Sequence, residues 1–182
     1  MIYLSQILRD YKEASIIILL ILFSSSRPVF AKPPFEQLKD PNPLYPPIKV
    51  SALTNKSLVI PGEEFIFHLS VIVKTGWHIY SLSPLAGNEF LATQIFIDEN
   101  VFQEKSVWKE PKPVLIQDEA VGRIVNGHKG NVEFSITYLV PPKVRIDKHS
   151  ISGKLIFRAC DNQICNLPQE LPFHTDILVT KK

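Results

Sequence analysis

Cysteine is scarce in this 182-residue chain, which contains only two. Two thiolates cannot complete a four-thiolate zinc site or hold an iron–sulfur cluster, so both kinds of site are excluded. A charge excess of one sign is lacking as well, because 20 Lys and Arg side chains stand against 18 Asp and Glu. This balance gives no electrostatic footprint for nucleic acid or for anionic lipid, and we expect no nucleic-acid partner.

The chain also lacks an apolar run long enough to span a bilayer. Its longest run covers residues 14–23, about half of the roughly 20 residues that a transmembrane helix needs. Arg9 and Lys12 precede this run, and a small-residue cleavage site ends at Ala31. These features predict a secretory signal peptide over residues 1–31 and export to an oxidising compartment. An uncleaved signal anchor is the alternative, because acidic residues interrupt the basic segment.

Proline is concentrated in residues 32–47, which hold six of the 15 prolines in the chain. Such a density is incompatible with a helix or a central strand. We therefore predict an extended leader over residues 32–47. Residues 48–182 remain for one folded domain, and roughly 135 residues are enough to bury a core of their own.

Apolar and polar residues alternate with period two in several segments after the leader. The segments are residues 65–73, 132–138, 151–157 and 175–179. No stretch there shows a sustained helical period of 3.6. Turn-forming pairs such as Asn126-Gly127 and Gly130-Asn131 separate the alternating segments. The pattern predicts an all-β protein with an immunoglobulin-like antiparallel β-sandwich.

The two cysteines, Cys160 and Cys165, directly follow one of these alternating segments. Asp161-Asn162 supplies turn chemistry between them, so the chain can bring both Cα atoms within the roughly 4.4–6.8 Å that a disulfide requires. One interpretation is a structural staple, although so short a loop contributes only about 2 kcal/mol. The other is a redox-active disulfide that a partner's thiolate opens through a mixed disulfide. The residues alone leave both interpretations open.

The remaining candidate groups give weaker signals. No two of the five histidines have the spacing of a ligand pair, and we expect them in the core or on solvated loops. Carboxylate pairs such as Asp118-Glu119 are expected on solvated turns. A metal carrier that uses both thiolates and a nearby histidine is the weakest hypothesis, because two sulfurs alone make an incomplete site. We expect neither a metal nor an organic cofactor.

Four stretches of the chain occur in a characteristic order. They are Gly76-Trp77-His78-Ile79-Tyr80-Ser81, then Trp108-Lys109-Glu110-Pro111-Lys112-Pro113, then Tyr138, and finally Phe157-Arg158-Ala159-Cys160 through Cys165-Asn166-Leu167-Pro168. With them, residues 48–179 resemble the N-terminal periplasmic domain of the thiol:disulfide interchange protein DsbD. The resemblance implies an immunoglobulin-like fold with the redox pair on a hairpin near one end.

The resemblance also implies a function for Cys160 and Cys165 as the two redox cysteines of an electron relay. In that family the domain receives reducing equivalents from a membrane-embedded transporter through a thioredoxin-like domain. It passes them to periplasmic thioredoxin-fold acceptors, in processes such as cytochrome c biogenesis. We therefore expect a periplasmic, monomeric, free-standing version that needs thioredoxin-fold proteins and a separate membrane electron transporter as partners. Whether it is an enzyme, a thiol-disulfide oxidoreductase, stays open, and a non-enzymatic binding sandwich with a structural hairpin disulfide is the alternative.

A cap loop shields the disulfide in that family, and residues 117–122 look like its counterpart. The candidate cap residues are Asp118, Glu119, Ala120 and Val121. The family places an aromatic pair where this chain has Ala120 and Val121. Because these side chains cover less area than aromatic rings, we expect the disulfide to be open to small thiols.

Overall fold

The computed structural model describes residues 47–181. The predicted signal peptide, residues 1–31, lies outside the described residues, as does the predicted leader except for Pro47. Pro47 is buried, and its carbonyl oxygen accepts a hydrogen bond from the Lys74 backbone N–H at 2.8 Å. The packed part of the chain therefore already includes the last residue of the predicted leader. Residues 47–181 contain no helix that is long and apolar enough to cross a membrane.

The described part of the chain is built almost entirely of β-strands. They are β1 Ile48–Thr54, β2 Leu58–Val59, β3 Glu64–Val73, β4 His78–Tyr80, β5 Gln94–Ile97, β6 Gln103–Glu104, β7 Val114–Asp118, β8 Arg123–His128, β9 Asn131–Leu139, β10 Lys148–Phe157, β11 Ala159–Cys160 and β12 Gln169–Val179. One turn of 3-10 helix, Glu89–Leu91, is the only helical element between residues 47 and 181. The all-β prediction is confirmed.

Two four-stranded sheets form the sandwich, with the strand orders β1-β3-β9-β6 and β2-β12-β10-β5. Neighbouring strands are antiparallel except for the parallel pair β2 and β12. The period-two alternation turns one face of each sheet inward, and the inward residues of both sheets join one hydrophobic core. Phe67 of β3 and Phe173 of β12 meet there with ring centroids 5.9 Å apart. The immunoglobulin-like β-sandwich is confirmed.

A third, smaller sheet has the order β11-β4-β8-β7 and carries the first cysteine. The chain changes sheets at Arg158: Phe157 still pairs with β12, whereas Ala159 pairs with Ile79 of β4. This change directs Cys160 away from the main core and into a separate buried cluster.

The turn predicted at Asn126-Gly127 is wrong, because both residues lie inside β8. Gly127 is needed there for close approach: a Cβ atom at this position would lie 2.3 Å from the carbonyl oxygen of Ile79. The Asn126 side chain binds the loop that follows β4. It donates a hydrogen bond to the Ser83 carbonyl at 2.8 Å and accepts one from the Leu85 N–H at 3.0 Å. In the Asn-Gly pair, the glycine thus allows β8 to pack closely beside β4 and the asparagine binds the loop after β4, and the pair does not form a chain reversal.

Candidate redox site

Cys160 and Cys165 form a disulfide, with their Cα atoms 4.1 Å apart. The two sulfurs differ in accessibility. Cys160 is fully buried, with 0% of its surface exposed, whereas Cys165 is only partly buried. Two large apolar side chains of the same hairpin, Ile164 and Leu167, are exposed by 59% and 82%. Cys165 is therefore the more exposed of the two cysteines.

The turn between the cysteines is held by its own polar residues. The Asp161 carboxylate accepts hydrogen bonds from the backbone N–H groups of Gln163 and Ile164, both at 3.0 Å. These bonds, that of Ile164 foremost, hold the pKa of Asp161 below its usual value, so the carboxylate stays charged at neutral pH. Asn162 has a left-handed backbone with φ of 78°, which asparagine tolerates better than most residues. The turn chemistry expected from the sequence is confirmed.

Strand β4 brings two side chains to the disulfide. His78 and Tyr80 are two positions apart, so they share one face of the strand, and each is 1% exposed. The Tyr80 hydroxyl oxygen lies 2.8 Å from Cys160 Sγ and 3.6 Å from Cys165 Sγ. It is thus in contact with the buried sulfur at hydrogen-bonding distance.

Asp118, at the end of β7, is fully buried, so its expected place on a solvated turn is wrong. Its Oδ2 accepts hydrogen bonds from the Tyr80 hydroxyl at 2.7 Å and from His78 Nε2 at 3.0 Å. Its Oδ1 accepts from the backbone N–H groups of Ala120 at 3.0 Å and Val121 at 3.4 Å. A buried carboxylate is tolerated because donors satisfy both of its oxygens. The neighbouring Glu119 is exposed, as expected.

Tyr80 remains protonated in this environment. Burial raises the pKa of the Tyr80 hydroxyl, and the hydrogen bond and negative charge of Asp118 raise it further. The positive charge of Arg158 opposes these effects only in part. The hydroxyl therefore keeps its proton at neutral pH and is a hydrogen-bond donor placed between a carboxylate and a sulfur.

A second polar cluster fixes the end of β4. The Glu110 carboxylate accepts hydrogen bonds from the Ser81 hydroxyl at 2.6 Å, the Leu82 N–H at 3.0 Å and His128 Nε2 at 2.8 Å. Burial alone would raise the pKa of Glu110, but these three hydrogen bonds outweigh it and hold the pKa below the usual value. Since Ser81 follows Tyr80 directly, the cluster positions the tyrosine at the disulfide.

The predicted cap loop is the tight connection between β7 and β8. Residues 119–122 form the turn, and Gly122 has a positive φ of 68°. Val121 packs against the same buried cluster as the partly buried Cys165, and that cluster contains Tyr80 and Cys160. Ala120 is partly buried as well. Within this loop, Val121 is therefore the side chain that packs against the cluster around the disulfide.

The sequence predicted His78 in the core or on a solvated loop and did not single out Tyr80 as a site residue. His78 is buried, as expected, but its ring also binds Asp118. The available signal was the His-x-Tyr spacing in β4, which places both rings on one face. A nitrogen of His78, an oxygen of Asp118 and Sγ of Cys160 all lie within 4.8 Å of one another. These three residues are therefore close enough together to act as ligands of one metal ion.

The family of the N-terminal domain of the thiol:disulfide interchange protein DsbD matches residues 47–176 of this chain, most of its length and all of the site just described. The chain belongs to the DsbD N-terminal domain family. It is accordingly a thiol:disulfide interchange domain of the DsbD type, with Cys160 and Cys165 joined as a disulfide. Among curated protein sequences, no match to the chain is found.

Solved structures that are similar to this chain include a periplasmic domain and a cohesin. The N-terminal periplasmic domain of ScsB from Proteus mirabilis is 22% identical, with a TM-score of 0.49. The match covers 71% of this chain and 44% of that one, so this chain spans less than half of the ScsB domain. The seventh ScaB type I cohesin from Pseudobacteroides cellulosolvens is 10% identical over 74% of this chain and 93% of the cohesin, with a TM-score of 0.40.

Proposed function

We propose that this chain is an exported, periplasmic domain that relays reducing equivalents through Cys160 and Cys165 to thioredoxin-fold partners. The observation that carries the proposal is the contact of the buried Cys160 sulfur with the Tyr80 hydroxyl, itself bound to Asp118. A disulfide that serves only as a staple has no need of a buried hydrogen-bond donor beside one sulfur. Membership of the DsbD N-terminal domain family supports the same chemistry.

The unequal burial of the two cysteines determines which sulfur a partner attacks and which one leaves. A partner's thiolate attacks Cys165 Sγ, the S–S bond breaks, and the electron pair leaves on Cys160 Sγ. The Tyr80 hydroxyl, 2.8 Å away, then turns its proton from Asp118 towards the new thiolate. A hydrogen bond to a charged sulfur is stronger than one to a neutral sulfur, so the contact favours bond cleavage.

In the second half of the reaction the partner's two thiols become a disulfide. The partner's other thiolate attacks its own sulfur in the mixed disulfide and releases Cys165 as a thiolate. Two electrons have then passed to the domain, and two protons complete the dithiol. The reverse sequence hands the electrons to an oxidised thioredoxin-fold acceptor. We propose that a separate membrane electron transporter supplies the electrons, as the family resemblance implies.

The redox properties of the disulfide test this proposal. The oxidised full chain is equilibrated with defined ratios of reduced and oxidised dithiothreitol, and the reduced fraction is read by thiol alkylation. A relay predicts a potential above about −300 mV and rapid exchange with a reduced thioredoxin. A potential below about −300 mV together with no exchange would favour the non-enzymatic binding sandwich with a structural disulfide instead.

A further inference from the structure

The buried groups beside the disulfide form a donor set of the kind that binds metal ions. Ligand atoms of His78, Asp118 and Cys160 lie within 4.8 Å of one another, and all three residues are at most 1% exposed. Cys165 Sγ, bonded to Cys160 Sγ, brings a fourth donor to the same place. We propose that the reduced dithiol, together with His78 and Asp118, binds one Zn²⁺-type cation in a four-coordinate site.

The residue types match the preference of Zn²⁺, which takes thiolate, imidazole and carboxylate ligands in tetrahedral sites. With Zn–S bonds of about 2.3 Å, the two sulfurs would lie about 3.8 Å apart. The Cα atoms of Cys160 and Cys165 are 4.1 Å apart, so rotation of the two side chains can provide this separation without moving the backbone. Sequence patterns pointed to the two sulfurs and an unspecified histidine, whereas the sheet register identifies His78 and adds Asp118.

Tyr80 stands next to this donor set and would support it. Its hydroxyl now contacts both Asp118 Oδ2 and Cys160 Sγ. Once the cation binds these two atoms, the same hydroxyl can donate to either ligand from outside the coordination sphere. Hydrogen bonds of this kind orient metal ligands and raise affinity.

Cation binding is tied to the redox state of the cysteines. A dithiol reductant reduces the disulfide to two thiols and becomes a disulfide itself, so that two electrons and two protons are transferred. The cation then replaces the two thiol protons, which are released to solvent. With both thiolates and the Asp118 carboxylate, the site carries one net negative charge. Arg158, whose positive charge acts on Tyr80, partly offsets it.

The inference goes beyond the proposed relay and requires only that the disulfide can be reduced chemically. In the disulfide form the sulfurs carry no negative charge, so the cation would lose its strongest ligands. In the reduced form a bound cation holds both thiolates and prevents them from attacking another disulfide. The site would therefore hold the domain in its reduced state until the metal is withdrawn.

Metal binding by the reduced and the oxidised full chain tests the inference. The chain is reduced with a phosphine, desalted, and titrated with Zn²⁺ against a chromophoric chelator and with Cd²⁺ while thiolate charge-transfer absorption is followed. We expect one equivalent to bind to the reduced chain and none to the oxidised chain. No binding to the reduced chain, or equal binding to both forms, would overturn the inference.

X-ray absorption spectroscopy of the Zn²⁺-loaded parent chain identifies the ligands without any substitution. We expect two sulfurs at about 2.3 Å and two nitrogen or oxygen atoms at about 2.0–2.2 Å. A shell of four sulfurs, which two chains would have to share, contradicts the site. A shell without sulfur contradicts it equally.

Two histidine variants distinguish this site from simple chelation by a dithiol. His78→Gln should weaken Zn²⁺ binding at least tenfold, whereas His149→Gln should leave it unchanged. His149 is a matched control because its ring binds the Arg145 carbonyl oxygen and lies against Phe102, away from the disulfide. Equal affinities for His78→Gln and the parent would refute the four-ligand site. If the parent chain binds Zn²⁺ as expected but does not exchange disulfides with a thioredoxin-fold protein, the result contradicts the proposed relay and leaves the metal site supported.

Discussion

The Tyr80 hydroxyl donates a hydrogen bond of 2.7 Å to the buried Asp118 carboxylate while it lies 2.8 Å from the sulfur of Cys160. One hydroxyl thus connects the last residue of β7 with the buried sulfur of the disulfide. Asp118 also binds the turn that carries Val121, through two backbone N–H groups. Asp118 is thus hydrogen-bonded both to the hydroxyl beside Cys160 and to the backbone of the β7–β8 turn.

The first prediction concerns which cysteine forms the mixed disulfide. The probe is a thioredoxin-fold protein whose reactive cysteine carries an aromatic thiol in a mixed disulfide. With Cys160→Ala, the accessible Cys165 thiolate should attack this disulfide readily, form a disulfide with the probe and release the aromatic thiol. With Cys165→Ala, capture by the buried Cys160 should be at least tenfold slower, because exchange depends on access to the sulfur. Release of the coloured aromatic thiol and a non-reducing gel measure both reactions. Failure of both folded variants to be captured would remove the main support for the relay.

The second prediction compares two buried tyrosines. Tyr80→Phe removes the donor to the departing sulfur, and loss of a bond worth about 1.5 kcal/mol should slow exchange roughly tenfold. It also leaves Asp118 one donor short, which should lower the free energy of unfolding by about 1–3 kcal/mol. Tyr138→Phe is the control, because the Tyr138 hydroxyl lies in the main core and, among the described residues, no group meets the geometry of a hydrogen bond to it, although Asn100 and Glu104 act on its pKa. That variant should change neither the exchange rate nor, by more than a few tenths of a kcal/mol, the stability. Stopped-flow exchange and urea unfolding measure the two effects.

The third prediction concerns partner docking on the disulfide hairpin. Leu167 is 82% exposed two residues beyond Cys165, and an apolar side chain there suits contact with a protein partner. Leu167→Asp should slow exchange with a thioredoxin-fold protein several-fold but leave reduction by glutathione unchanged. Val107→Asp is a matched control, since Val107 is also 82% exposed but lies outside the hairpin. Equal slowing by the two substitutions would indicate a general charge effect instead of docking.

The fourth prediction concerns the proposed cap loop. Val121→Phe and Ala120→Phe should each slow reduction of the disulfide by glutathione, and Val121→Phe should do so more strongly because Val121 packs against the cluster around the sulfurs. Val121→Ala should accelerate the reaction. The equilibrium potential should stay nearly the same in all three variants, because they change access to the bond. If all four proteins, the parent included, are reduced at equal rates, the loop is not a cap.

The fifth prediction concerns acid stability. The pKa of Glu110 is lowered in the folded protein, so its contribution to stability is present above the usual value of 4.5 and is lost as the pH falls through the lowered value. Glu110→Gln should destabilise the domain by about 1–3 kcal/mol at neutral pH, because hydrogen bonds to a charged acceptor are lost. The difference from the parent should shrink as the pH falls below 4.5. Urea unfolding at several pH values measures it, and the exposed Glu99→Gln should show no such convergence.

Much of the fold could be predicted from local patterns. Alternation over residues 65–73 and 132–138 predicted the central strands β3 and β9. Successive side chains of a strand point to opposite faces, so a strand with one buried face shows alternating apolar and polar residues. The short strands β4, β7 and β11 were not predicted. They are too brief for a period to be visible, and in β4 all three residues are buried, which removes the alternation.

The sequence by itself determined the β-sandwich, the cysteine pair and the turn that Asp161 and Asn162 form between the two sulfurs. Each of these depends on residues that are close together along the chain. Only the tertiary structure decided that Asp118 is buried and that His78 and Tyr80 reach it. Tyr80 is 38 positions from Asp118 and 80 positions from Cys160. The register of β4 between β8 and β11 brings these side chains together, and register across a sheet is set by packing of whole strands rather than by local preference.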